Sequence, residues 1–561
     1  MRMGRPVCSS RMRRRAAANM VSPPVFIAEH QSCVSLVLDA TNGYFIDRST
    51  LWGRILITGW GASVSTMRSG MTENALRGIA PRTGLSRKPK EGALPGRTVA
   101  AWFLLCLAPP LFMLGTAAQG VPMDTTVIVL TLALTVYSGT HLAIRYGRGD
   151  LRIAETTFWL FVYVAMAVSS LAEISTGLNP ILIDAGTMGE AFVIILAGCV
   201  AYDLSHVARR VVRRQAPSLT SARGISFARL NIIGVVGIGA SMYYIQTLGG
   251  VGSFFSSRNQ LSQSIAGAGL TQNGSQALSA TLGSLALAPL ILAWLGWTAR
   301  LSRDKKVRRS GTTWLWYLIL SAFMVILCNP IGASRYIVLT VVFAALFCLP
   351  KLGKKGIRFV IAAGVILAVT VFPYSDYFRV AAIDRSALQV NSISVELATK
   401  DYDQMTMTAN GVWYANVFGH TNGSQLLSDV LFFIPHTVWS GRATDTGVLI
   451  GTAIESGNTN LSTPLWLEFW LDFSWLGLVI GMFLFGWISA RWDYLFVQLR
   501  RRQRSSLPAL LDLALPLFAG YQFILLRGPI LQAMGRLGVM VVLLAIIRGR
   551  PLGEESGPSV D

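Results

Sequence analysis

From residue 98 to residue 547 the chain is a succession of apolar runs, most of them near the ~20 residues an α-helix needs to cross a bilayer. That repetition admits few folds, because inside hydrocarbon each backbone N–H and C=O must be satisfied within the protein. About twelve such runs can be counted by length and polarity. The chain is 52% hydrophobic and only 14% charged, too apolar for a water-soluble domain of its length. We therefore expect an all-α polytopic membrane protein with about twelve transmembrane helices. Its expected organisation is a basic cytoplasmic tail without regular structure over residues 1–96, helices one to nine over 97–372 and a large extracytoplasmic loop over 373–463. Helices ten to twelve follow over 464–548, and a short cytoplasmic tail over 549–561.

The net charge of +21 raises the question of nucleic acid. The basic residues answer it by position: RKPK, RYGRGDLR, RRVVRR, RLSRDKKVRR, KLGKKGIR, LRRRQR and RGR all fall between apolar runs on one side of the expected topology. Lys and Arg gather in cytoplasmic loops in this way, so the charge reports orientation rather than a nucleic-acid partner. With an even number of helices both termini are cytoplasmic in a multi-pass protein of the cytoplasmic membrane. Of the six cysteines none lies in the long loop, which indicates neither a disulfide framework nor a Cys-based metal site.

Several arginines stand on the other side, against that charge bias. They are Arg258, Arg335, Arg379, Arg385, Arg442 and Arg527, with Arg536 inside the last helix. A charge near the outer leaflet needs a partner, an anionic ligand or a route to lipid phosphate. Guanidinium suits phosphate through its bidentate, permanently charged fork. As a group these residues suggest a phosphate-bearing lipid headgroup.

The order of several short motifs resembles the oligosaccharide repeat-unit polymerases of the O-antigen polymerase type. The resemblance runs from residue 230 to the end of the last helix. GGVGSFFSSR is similar to that family's Gly-Gly-aromatic-Arg loop, GASRYIVL to its Gly-x-x-Arg helix start and YSDYFRVA to the start of its large loop. FFIPHTVWSGRATDTG resembles its Pro-Arg-x-x-Trp-x-x-Lys-Pro-x-x-x-Gly segment, STPLWLEFWLDFSWLG its Glu-x-x-x-Asn-Phe-Gly helix start, and LLRGPI its last outer turn. Three departures stand out: His436 replaces Arg, Arg442-Ala443 replaces Lys-Pro, and Asp472-Phe473-Ser474 replaces Asn-Phe-Gly. Arg442 keeps the charge; an imidazole with an ordinary pKa near 6.5 does not keep it at neutral pH.

The resemblance implies a fold similar to GT-C-type glycosyltransferases and transfer of a growing glycan from a polyprenyl diphosphate carrier to a sugar hydroxyl. Its implied partners are the polyprenyl-diphosphate-linked oligosaccharide and membrane lipid, together with a chain-length regulator and a flippase; no nucleic acid, cofactor or metal is expected. Such chemistry calls for cations on the leaving diphosphate and a base on the acceptor. Arg258, Arg335, Arg379, Arg442 and Arg527 are the candidates for the first role. Glu468, Asp472 and His436 are the candidates for the second, with Asp376, Asp384, Asp401 and Asp403 behind them. Glu468 and Asp472 are four residues apart, so on a continuous helix they share a face and repel. His420, in a Gly/Asn-rich turn, reads as a surface residue. Trp413, Tyr414, Phe418 and Trp439 suit either sugar stacking or interfacial anchoring.

No phosphate-binding Gly-x-x-x-x-Gly-Lys-Ser/Thr loop, His-Glu-x-x-His zinc site or Gly-x-Ser-x-Gly turn occurs. A flippase for the same lipid-linked substrate, or a ligase that moves finished glycan, are the alternative readings.

Overall fold

In a computed structural model the described residues are 96–117, 124–177, 184–212, 223–256, 276–350, 352–374, 391–398, 402–434, 438–456, 461–502 and 507–551. The apolar runs form helices α1 (Gly96–Gly115), α2 (Thr125–Arg148), α3 (Ile153–Thr176), α4 (Ala185–Val212), α5 (Phe227–Thr247), α6 (Gln276–Arg303), α7 (Gly311–Leu327) and α8 (Arg335–Cys348). Next comes α9 (Lys354–Ile366), prolonged by a wide turn over Leu367–Val371. Residues 391–453 contribute α10 (Ile393–Leu397), α11 (Gln404–Phe418), α12 (Ser424–Val430) and α13 (Thr446–Ala453). The chain closes with α14 (Leu465–Arg502), α15 (Leu510–Arg527) and α16 (Ile530–Ile546).

Among the described residues eight helices are long and apolar enough to cross a membrane, and α7, α8 and α16 are shorter apolar helices. The chain is thus a helical multi-pass membrane protein. A two-stranded antiparallel ribbon, Arg223–Ile225 against Arg548–Pro551, is extended by a single bridge from Gly224 to Ala509.

The basic helix ends share one face, and hydrogen bonds tie them together there. Arg97 Nε donates to Gly147 O (3.2 Å), Arg358 Nε to Tyr146 O (3.0 Å) and Arg500 Nη1 to Leu349 O (2.9 Å). Arg303 pairs with Asp512 at 3.1 Å, and Arg229 donates to Ile546 O at 3.2 Å. The opposite face, which carries α10 to α13, is called the loop face below.

Helix α3 is almost wholly buried at the centre of one core, where Phe158 and Trp159 meet Tyr202 of α4 and Trp466. A second core joins α5, α6, α7, α15 and α16 through Leu230, Leu290, Leu320, Tyr521 and Met540. Without a strong hydrophobic drive between helices in lipid, small residues let backbones approach. A Cβ on Gly486 would lie 2.7 Å from Tyr202 O, and one on Gly520 would lie 2.8 Å from Thr340 O.

The helix expected to begin at residue 464 extends to Arg502, but it is broken. Phe473 (φ −137°, ψ 23°) and Ser474 (φ 54°, ψ −146°) leave helical space. Residues 465–472 then fold back on the first turns of the following span. A Cβ on Gly477 would sit 2.3 Å from Phe469 O, and one on Gly198 would touch both Trp466 (2.3 Å) and Met482 (3.2 Å). Ser474 holds a conformation that glycine adopts readily, and glycine is what the resembling motif has there. Replacing Ser474 by Gly removes strain of ~1–3 kcal/mol and gives back ~0.5–1 kcal/mol of chain entropy. The Ser474→Gly protein is expected to unfold at higher temperature, as measured by thermal denaturation in detergent.

A buried acidic pocket under the loop face

The corner at Phe473–Ser474 decides where the carboxylates go. Asp472 Oδ1 accepts from Thr421 Oγ1 (2.6 Å) and Gln425 N (3.2 Å), and Oδ2 accepts from Leu426 N (2.7 Å). Asp472 therefore caps the first turn of α12, satisfying amides that the helix itself cannot. Glu468 turns to other partners: Oε2 accepts from Thr446 Oγ1 (2.6 Å) and Oε1 from Ile530 N (3.4 Å), the first residue of α16. Both carboxylates are buried, but they serve different elements rather than forming a mutually repelling pair.

The charge facing Glu468 comes instead from Asp429 of α12 and Asp445 at the start of α13. Asp445 accepts from Gly447 N (3.0 Å) and from Gln532 of α16 (3.1 Å). Burial pushes its carboxyl up to about 6, partly offset by those hydrogen bonds. Asp429 is pushed up to about 8, by burial first and then by the negative Asp472 and Asp445, with Arg442 pulling the other way. Its Oδ2 is buried with no hydrogen-bond partner among the described residues.

Arg442 completes the pocket. Nη1 donates to Ile434 O at 3.1 Å, while Nε and Nη2 are buried and find no acceptor among the described residues. The neighbouring Ala443 N donates to Ser428 Oγ at 3.0 Å, which ties this strand of chain to α12. An unpaired guanidinium edge and an unpaired carboxylate oxygen are costly in a buried site, ~1–3 kcal/mol each, and mark a place for a ligand.

A pair of arginines stands beside the turn between α15 and α16. Arg335 Nη1 donates to Phe372 O (3.2 Å) and lies 5.0 Å over the Phe372 ring; Arg527 lies 4.9 Å over Tyr336. The rings of Tyr336 and Phe372 meet edge-on at 5.6 Å, so the two guanidinium groups are joined through this aromatic pair. Gly528 seats the turn against the segment leading to Glu468: a Cβ there would fall 1.7 Å from Thr463 O, and its φ of +67° also favours glycine.

Arg258, Arg379, Arg385, His436, Asp376, Asp384 and Asp401 lie outside the described residues. Asp403 is described and stands just before α11. His420 is half-buried, with Nδ1 3.3 Å from Leu471 O and its ring edge-on to Trp470. Trp413, Tyr414 and Phe418 pack on one another along α11. Arg536 lies within α16, as expected. No grouping of His, Cys, Asp and Glu suited to holding a metal ion occurs among the described residues.

Three buried acids towards the loop face escaped the sequence reading: Asp429, Asp445 and Glu173. Glu173, near the loop-face end of α3, accepts from Thr406 Oγ1 of α11 at 3.0 Å, and its Oε1 is buried without a partner. The signal that could have found Asp429 and Glu173 is a lone carboxylate within an apolar run, LLSDVLFF and SSLAEI. No protein-family model matches this chain, and comparison with curated proteins and with solved structures likewise finds no match.

Two outcomes follow from this geometry. Removing the cap with Asp472→Ala is expected to lower stability by ~1–2 kcal/mol, read as a lower midpoint in thermal unfolding, with Asp472→Asn in between. At neutral pH folding takes up a proton at Asp429, because its folded value near 8 exceeds an ordinary carboxyl value of 3.8. Stability is therefore full below the ordinary value and falls as pH rises towards 8. Unfolding midpoints across pH 4 to 9 should show that decline, and Asp429→Asn should flatten it.

Proposed function

We propose that the chain is a membrane glycosyltransferase that polymerises lipid-linked oligosaccharide repeat units. In this reading it has twelve spans in the cytoplasmic membrane, both termini are cytoplasmic and the loop face is extracytoplasmic. The observation that carries the proposal is the buried edge of Arg442, Nε and Nη2 without an acceptor among the described residues, beside Asp429, which in turn faces Glu468. Support also comes from the ordered motifs that resemble the O-antigen polymerase type.

The polyprenyl diphosphate of one repeat unit binds along the arginines, with Arg442 in bidentate contact and Arg335 and Arg527 nearby on the loop face. The acceptor hydroxyl of a second repeat unit attacks the anomeric carbon. As the new glycosidic bond forms, the bond from that carbon to the diphosphate oxygen breaks. The diphosphate leaves with the electron pair, its charge offset by guanidinium, and Glu468 takes the hydroxyl proton. Asp472, committed to capping α12, holds the wall of the site rather than the proton.

Purified protein in liposomes with a lipid-linked repeat unit should give a ladder of products. Glu468→Gln is expected to slow ladder growth by about a hundredfold or more with substrate binding retained. Arg442→Lys should lose most activity, since ammonium cannot reproduce a bidentate fork. Near-normal ladders from both variants, in matched amounts of folded protein, would remove these residues from the chemistry. Absence of any ladder together with loss of repeat-unit export would favour the flippase reading.

A further inference from the structure

Helix α12 has its polarity inverted. Gln425, Ser428 and Asp429 are buried (4%, 1% and 4% exposed), whereas Leu427, Val430 and Phe433 at spacing three are 50%, 55% and 67% exposed. Val438 is 77% exposed. A helix on a water-facing surface shows the opposite arrangement, with its apolar stripe inward.

Depth along α16 gives the reason. The amide of Ile530, where α16 begins on the loop face, bonds to Glu468. A Cβ on Gly538 would meet the Phe432 ring at 2.9 Å. Gly538 is eight residues beyond Ile530, ~12 Å towards the basic face at 1.5 Å per residue. All of α16, 17 residues and ~25 Å long, is needed to approach the ~30 Å of a hydrocarbon core, so its midpoint cannot lie in water. The surface beyond Phe432 continues as Val541 and Val542 of α16, both exposed apolar residues of a membrane helix.

We propose that α12, with residues 431–434 and Val438, re-enters the membrane from the loop face. Leu427, Val430, Phe433 and Val438 then lie against the acyl chains of the bilayer, while Asp429 and Arg442 face the protein interior. The occupant of this apolar surface is lipid hydrocarbon. The geometry also explains how buried polar groups come to lie at membrane depth: they are on the protein-facing side of a segment whose other side is solvated by lipid. The inference depends on the position of α16 and not on the glycosyltransferase reading, so either can fail alone.

Nitroxide labels at Leu427→Cys, Phe433→Cys and Val438→Cys, in the full chain in liposomes, test it by power saturation. Molecular oxygen, which concentrates in lipid, and a water-soluble nickel chelate are the two relaxers. Asn391→Cys, exposed on the loop face, is the aqueous control, and labelled parent protein gives the background from native cysteines. The expected result is a depth parameter of opposite sign at the three apolar positions and at Asn391. Dominant collision with the nickel chelate at Phe433 and Val438 would overturn the proposal in favour of a water-facing loop. Low collision with both relaxers would also overturn it, in favour of a protein partner or a second copy covering the surface.

Discussion

The start of a helix leaves amides without partners, and in a low-dielectric surrounding each unmet amide costs ~1–3 kcal/mol. This protein meets that constraint three times from one element. Asp493 of α14 accepts from Ala154 N and Glu155 N (2.8 and 2.9 Å) at the start of α3, Asp472 from the start of α12, and Glu468 from Ile530 at the start of α16. Helix α14 is thus the common reference for elements on both faces. Glu468 and Asp472 both precede its corner at Phe473–Ser474, so the turned-back segment 465–472 carries both carboxylates, one to the start of α16 and one to the start of α12.

The same arrangement shapes the pocket. Asp472 gives its lone pairs to backbone amides, so its charge is largely answered. Asp429 has no such partners and Arg442 only one. Burial, and then repulsion from Asp472 and Asp445, favours the neutral form of Asp429, and Arg442 is left as the cation with unused donors. An anion entering beside Arg442 therefore meets fewer negative charges than a count of carboxylates implies. This follows from how the hydrogen bonds are distributed and not from composition.

The all-α, multi-pass character was legible in the sequence because bilayer thickness fixes helix length whatever the packing, and eight helices reach that length among the described residues; Arg148, Arg303 and Arg500 marked ends that share a face. Much less of the pocket was legible. Periodicity places Glu468 and Asp472 on one face, but it does not show that each answers the start of a different helix, nor the break that follows Asp472. Phe473 and Ser474 carry a weak sign of that break, the motif glycine being absent from the sequence itself. Asp429 and Glu173 were passed over because their importance rests on neighbours such as Asp445, Arg442 and Thr406, distant in sequence or on another helix. Residues 373–463 read as one loop because α10 to α13 are short and α11 buries polar Gln404, Thr408 and Asn410 alongside apolar side chains, which erases any amphipathic signal.

Caps supplied from a distant helix also set an order of assembly. The amide of Ala154 meets Asp493 across 339 residues of sequence. At roughly 5–20 residues per second of synthesis, tens of seconds separate the emergence of α3 from that of its cap. During that interval the most buried helix of the protein has an open end, with Arg145 and Glu155 paired beside it but nothing to close its first turn. Its final packing waits for the last quarter of the chain. A ribosome that stops before α14 leaves α3 without the carboxylate that caps its first turn.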